Sequence, residues 1–186
     1  RSNRDPPDRG PALLMHFLVE ILILFLLLLL NGVFAMAEIA IVSSRKGRLK
    51  KLADEGSARA RAALALAQAP ERFLSTVQIG ITLVGILAGA LGGVTLSGKL
   101  APVVARVPAL APYAEPIAIL LVVGAITYFS LVIGELVPKS LALRYSEGYA
   151  RAVSRPLLSL AYLMRPIVSL LTGASNVVLR AFGDHT

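Results

Sequence analysis

Three stretches of the chain stay apolar for longer than a globular helix needs. The first is 12–42, whose centre, ILILFLLLLL (21–30), carries no polar side chain. About 20 apolar residues cross the hydrocarbon of a bilayer, so this run spans with length to spare and is expected to tilt or protrude. The second run, FLSTVQIGITLVGILAGALGGVTLS, covers 73–97. The third, EPIAILLVVGAITYFSLVIGELV, covers 115–137 and gives a span of about 115–140. A fourth apolar stretch, 156–172, is interrupted by Arg165 and Pro166.

The intervening segments read differently. Residues 1–11, RSNRDPPDRGP, are polar and Pro-rich and predict a disordered tail. Residues 45–70 include the Ala-rich ADEGSARARAALALAQAP and have helical composition. They predict a juxtamembrane helix that ends before Pro70. Residues 98–114 hold three prolines and two basic residues, which fits a loop on the far side. RPLLSL (155–160) and RPIVSLL (165–171) form an echo too short for a repeat. Segment 145–182 predicts helices lying along the membrane interface, with a fourth full span as the alternative. The pattern therefore predicts an all-α membrane protein with three transmembrane helices plus cytoplasmic juxtamembrane helices.

Composition supports a membrane class. The chain has 186 residues, 56% of them hydrophobic, and a mean hydropathy of +0.73. Trp is absent and aromatics make up 6%, so the assignment rests on the long runs and not on an aromatic belt. Cysteine is absent, which excludes disulfides, thiolate metal sites and Cys nucleophiles. The net charge of +8 gathers beside the apolar runs and not on a nucleic-acid-binding module, so no nucleic-acid partner is expected. Residues 45–72 hold eight Lys/Arg and three acids. That asymmetry places the segment in the cytoplasm. Three spans with the N-terminus outside put both basic clusters inside. The basic region follows the first run, which argues against a cleaved leader.

A few polar groups interrupt the spans. Glu135 sits in LVIGELVPKS (131–140), between Gly134 and Pro138. Acidic groups at membrane depth mark functional sites. Pro138 has no N–H for the Gly134 carbonyl, so a helix break there leaves a carboxylate beside a freed backbone oxygen. Hard cations take such ligands. The alternative is that Glu135 and Lys139, four residues apart, form an ordinary helical ion pair. Glu38, deep in the first run, is either a second ion-linked carboxylate or a partner for a basic residue. His16, Glu20 and Asn31 lie along the same run. Ser43 and Ser44 close it. Ser75, Gln78 and Thr82 open the second run with a polar stripe that can bind helices or line an ion path. Gly85, Gly89 and Gly93 recur every fourth residue and predict close helix contact, within the chain or at a dimer seam. An enzyme is not expected. No HExxH is present, and His16 and His185 stand at opposite ends.

Three stretches together, NGVFAMAEIAIVSSRKGRLKKL (31–52), FLSTVQIGITLVGILAGALGG (73–93) and YFSLVIGELVPKSLAL (128–143), resemble the transmembrane domain of the CNNM/CorC family of magnesium transport proteins. The likeness covers about 12–182, and the SSRK and QIGITLVGI wording fits the bacterial CorC-like branch. It implies three membrane helices, a cytosolic belt and a homodimer in the plasma membrane. It also implies Mg²⁺ export coupled to Na⁺ entry. The implied ion site joins Glu135 and the Gly134 carbonyl with the hydroxyls of Ser43 and Ser75. Family members continue into cytosolic CBS modules that bind ATP. The sequence ends at AFGDHT before such a region, so it is read as an isolated membrane domain, with 183–186 as its end and nucleotide regulation encoded elsewhere. A non-transporting membrane anchor or regulator is the competing class.

Overall fold

The first apolar run forms one helix, α1 (Gly10–Ser43), 34 residues long and therefore ~50 Å at 1.5 Å per residue. A computed structural model describes residues 10–181, with side chains from 14 to 177. The tail expected over 1–11 lies outside the described residues as far as residue 9. Residues 10 and 11 already belong to the helix. The end at 183–186 and His185 also lie outside them. After α1 come α2 (Lys46–Asp54) and α3 (Ala58–Gln68). Gly56, at φ +95°, makes the turn between them in a conformation other residues avoid. The Ser57 hydroxyl then accepts from the Ala60 N–H at 3.3 Å and caps α3.

The second span, α4 (Pro70–Val104), outruns its predicted limits of 73–97 at both ends. Pro70 occupies the first turn, where its fixed φ suits a helix start. At the other end Lys99 is ion-paired with Glu20 of α1. Its ammonium also lies 4.7 Å from the Phe17 ring centre. Those contacts hold the turn carrying Lys99 helical, and Pro102 costs only one carbonyl partner so near the end. The expected loop over 98–114 thus shrinks to residues 105–113, part of it a 3₁₀ turn at Ala111–Tyr113.

The third span is a compound helix. α5 (Ala114–Leu131) passes into a π-helical segment, Val132–Leu136, and then α6 (Val137–Arg144). The chain continues as α7 (Ser146–Leu163) and α8 (Arg165–Ala181). Three helices are long and apolar enough to cross a membrane: Leu14–Ser43, Pro70–Val104 and Ala111–Arg144. α7 and α8 bend by 62° at the break before Arg165 and Pro166. Among the described residues there is no strand.

Most of the buried core lies at the basic end. Ile41 of α1, Leu49 of α2, Leu66 of α3, Phe73 of α4 and Leu157 of α7 meet there, with alanines between them. The Ser154 hydroxyl of α7 donates to the Arg59 carbonyl of α3 at 2.9 Å. Arg48 and Glu147 form an ion pair at 2.9 Å across α2 and α7. The Tyr149 hydroxyl donates to the Val33 carbonyl at 3.4 Å, and burial pushes its phenol above the usual range.

The glycine stripe makes no close contact within the chain. A Cβ on Gly85, Gly89 or Gly93 meets nothing within 4 Å. The close approach falls at Gly92 instead, where a Cβ would run into the Ile126 Cδ1 of α5. A residue adjacent in sequence points about 100° away on a helix, so the close contact within the chain falls on a neighbouring face, and the every-fourth glycines keep only the dimer seam of the two expected contacts.

Candidate functional site

Pro138 determines the local backbone of the third span. A regular helix would bond its N–H to the Gly134 carbonyl, and proline has none. The helix does not come apart there. It widens by one residue, with the Val137 N–H bonding the Val132 carbonyl. Such π bulges occur often at functional positions. α6 then resumes with Pro138 in its first turn.

The freed Gly134 oxygen is claimed by another helix. Asn31 Nδ2 donates to it at 3.3 Å, in a buried contact between residues 103 apart in sequence. The approach depends on two glycines. A Cβ on Gly134 would lie 3.0 Å from Asn31 Nδ2, and one on Gly32 would lie 3.1 Å from Pro138 Cγ. Because a carbonyl can only accept, the amide must turn its NH₂ to Gly134. Asn31 Oδ1 is then left buried and without a donor among the described residues, and the residue is 4% exposed. A buried acceptor in that position calls for a proton donor, a water or a cation.

Asn31 lines a cavity of about 250 Å³ together with Glu135, Thr127 and Ser130. Gly85 and Gly89 of α4 form part of the opposite wall. An amide oxygen, a carboxylate and two hydroxyls therefore border one space between α1, α4 and the third span. Among the described residues no three His, Cys, Asp or Glu cluster to hold a metal. Any cation held here would rely on mixed oxygens, which suits a hard ion.

The carboxylates share one ammonium. Lys139 Nζ lies 3.9 Å from Glu135 Oε1 and 3.6 Å from Glu38 Oε2 of α1. The helical pair open to sequence reasoning is thus present, and so is a basic partner for Glu38. Neither contact is at hydrogen-bond length. Two carboxylates against one ammonium leave one negative charge in excess.

The serines lie elsewhere. Ser43 is exposed at the last residue of α1, twelve residues and therefore ~18 Å along the axis from Asn31. Its neighbour Ser44 is buried and donates to the Ile41 carbonyl at 2.8 Å. The Ser75 hydroxyl donates to the Glu71 carbonyl at 2.9 Å, and the residue lines a different cavity, shared with α8. The structure therefore brings together Gly134 and Glu135, links Glu38 to them through Lys139, and leaves Ser43 and Ser75 off the cavity. Asn31 is the residue to which sequence reasoning assigned no role. Its signal was a lone amide directly after LLLLL in a span.

The pattern of the cyclin M transmembrane N-terminal domain matches residues 21–186. A UPF0053 protein of Synechocystis sp. is 52% identical over 165 residues, covering 89% of this chain and 37% of its own length. The UPF0053 protein YugS of Bacillus subtilis is 27% identical, with 91% of this chain and 39% of its own length covered. A polyamine export protein of Haemophilus influenzae is 33% identical, covering 94% of this chain and 40% of its own length. The chain spans about two fifths of these relatives.

Proposed function

The chain belongs to the cyclin M transmembrane N-terminal domain family, and on that premise we propose that it is a Mg²⁺ transporter domain with its ion site at the Asn31–Gly134–Glu135 junction. The observation that carries this reading is the unpartnered Asn31 Oδ1 beside Glu135 in one cavity. Mg²⁺ sheds its waters reluctantly and is usually bound with several of them. A cavity of about 250 Å³ has room for a cation with several waters at ~30 Å³ each. Glu135 supplies the charge, and Asn31 and Gly134 offer neutral oxygens. Glu38 is the second ion-linked carboxylate. Lys139 takes the place of the cation while the site is empty and swings away when the ion arrives. The π segment gives the third span a weak point at which the two ends of the path can open in turn. Ser43 and Ser75 remain positions to test, as ligands recruited in another conformation.

Family likeness supports the rest of the reading. The domain works as a homodimer in the plasma membrane, N-terminus outside and basic end in the cytoplasm. The longer protein adds cytosolic CBS modules. Export is coupled to Na⁺ entry by alternating access.

A second reading has its own observation. One primary ammonium, that of Lys139, already bridges Glu38 and Glu135. Two similar proteins, from Haemophilus influenzae and Salmonella typhimurium, are named polyamine export proteins. A substrate ammonium would bind between the same carboxylates. Flux of Mg²⁺ and of spermidine into liposomes separates the readings. Mg²⁺ flux without spermidine flux is expected, and Glu135→Gln should abolish it while a folded dimer remains. The reverse substrate pattern favours the polyamine reading. No flux of either leaves the domain as a membrane anchor or regulator.

A further inference from the structure

Two further cavities lie away from the ion site, where α4 faces α8. One, of about 960 Å³, is bordered by Glu71, Arg72 and Ser75 of α4 and by Arg165 of α8. The other, of about 610 Å³, is bordered by Ile79, Leu83 and Ile86 of α4 and Leu171 of α8. The two share Ser75, Val168 and Thr172. They therefore form one groove, charged at the basic end and apolar further into the span.

The spacing fits a membrane lipid. Residues 72, 75, 79, 83 and 86 recur every three or four residues and share one face of α4. From Arg72 to Ile86 the helix rises ~21 Å. Half of a ~30 Å hydrocarbon core is ~15 Å, which leaves the length of a headgroup at the Arg72 end. The charge also fits. Neither Arg72 nor Arg165 forms an ion pair among the described residues. The Arg165 guanidinium carbon lies over the Tyr162 ring, 4.1 Å from its centre, a contact that uses the face of the guanidinium and not its N–H donors. Against Glu71 the pair leaves one positive charge in excess. A guanidinium takes a phosphate by parallel hydrogen bonds.

We propose that this groove binds one anionic phospholipid of the leaflet at the basic end. Arg72 and Arg165 hold its phosphate, and one acyl chain lies along Ile79, Leu83 and Ile86. The groove shares no bordering residue with the cavity at Asn31 and Glu135.

Native mass spectrometry of the delipidated protein tests it, with dioleoyl phosphatidylglycerol and dioleoyl phosphatidylcholine as the probes. Retention of phosphatidylglycerol about tenfold tighter than phosphatidylcholine is expected. The double variant Arg72→Gln, Arg165→Gln, both exposed positions, should remove that preference. Val168→Trp, which fills the junction of the two cavities, should weaken both lipids. Equal binding of the two lipids, or an unchanged preference in the double variant, overturns the proposal. Full competition by glycerol phosphate, which lacks acyl chains, also overturns it. The chain has no cysteine, so Leu171→Cys reports on a second copy of the chain. A disulfide dimer through that position would mean that another subunit covers the groove, and the lipid reading fails.

Discussion

Phe73 and Leu26 are both large apolar side chains on long helices, yet Phe73 is 2% exposed and Leu26 is 54% exposed. The first belongs to the layer at the basic end, where α2, α3 and α7 close over the ends of the spans. The second belongs to the membrane section, where only 17% of each span's most apolar window is buried. The difference follows from the two solvents. In water, apolar area must be covered, and full burial of a Phe is worth about 1.5–3 kcal/mol. In lipid an uncovered Leu loses nothing, so helix association relies on close backbone approach and a few polar contacts. The basic end is thus held by volume, while the membrane section is held by particular atoms: Gly92 against Ile126, Asn31 on Gly134 and Lys99 on Glu20.

The sharpest way to break this contrast is to truncate one side chain in each region. Phe73→Ala leaves a cavity where five helices meet and should cost about 3–5 kcal/mol. Leu26→Ala should change stability by less than about 0.5 kcal/mol, as surface changes usually do. Unfolding of both variants in detergent measures the difference. Equal losses would mean that Leu26 is covered, by a second subunit for example, and that the membrane section also depends on volume.

A smaller effect separates two glycines three residues apart. Gly92→Leu drives a side chain into Ile126 and should destabilise by about 1–3 kcal/mol, as overpacking does. Gly89→Leu meets open space and should fold. Because Gly89 lines the cavity beside Glu135, the same change should block ion flux. A stable, active Gly92→Leu protein would remove the close contact from the account. Monomers released by Gly89→Leu would place that face at the dimer seam.

Much of this contrast was legible in the sequence. Long apolar runs reveal the hydrocarbon thickness directly, and so the three spans and the all-α class were readable. Apolarity does not say where a helix ends, however. α4 continues seven residues beyond its predicted limit because Lys99 finds Glu20, a contact between residues 79 apart. The Gly134-Glu135-Pro138 spacing announced a disturbed helix and a free carbonyl, but not the π turn that keeps the chain helical. It could not announce Asn31, because the partner of a freed carbonyl depends on the approach of α1 and not on local spacing. The every-fourth glycines left their partner open for a related reason. Periodicity identifies a smooth face without saying what lies against it.

Asn31→Leu tests one of those atoms in the membrane section. The substitution removes a single hydrogen bond and should cost about 1 kcal/mol of stability. It also removes the neutral oxygen beside Glu135, so Mg²⁺ affinity by calorimetry should fall by about tenfold, the equivalent of ~1.4 kcal/mol. A stability loss with unchanged affinity would make Asn31 a helix clasp only.

The smallest expected change concerns Lys139, and it discriminates most finely. Lys139→Met keeps the length and removes the ammonium between Glu38 and Glu135. If the ammonium only stabilises the fold, the variant should lose stability, and Mg²⁺ binding should be unchanged or weaker. If it stands in for the transported cation, the two carboxylates lose their competitor. Cation affinity should then rise by about threefold, since screened ion pairs at partly exposed positions are worth only ~0.2–1 kcal/mol. Flux should not rise with it, because an ion held more tightly leaves more slowly. Tighter binding with slower release is the signature of a tethered competitor, and a clasp would not produce it. Weaker binding in Lys139→Met would return the ammonium to a structural role and leave Glu135 to be judged by its own substitution.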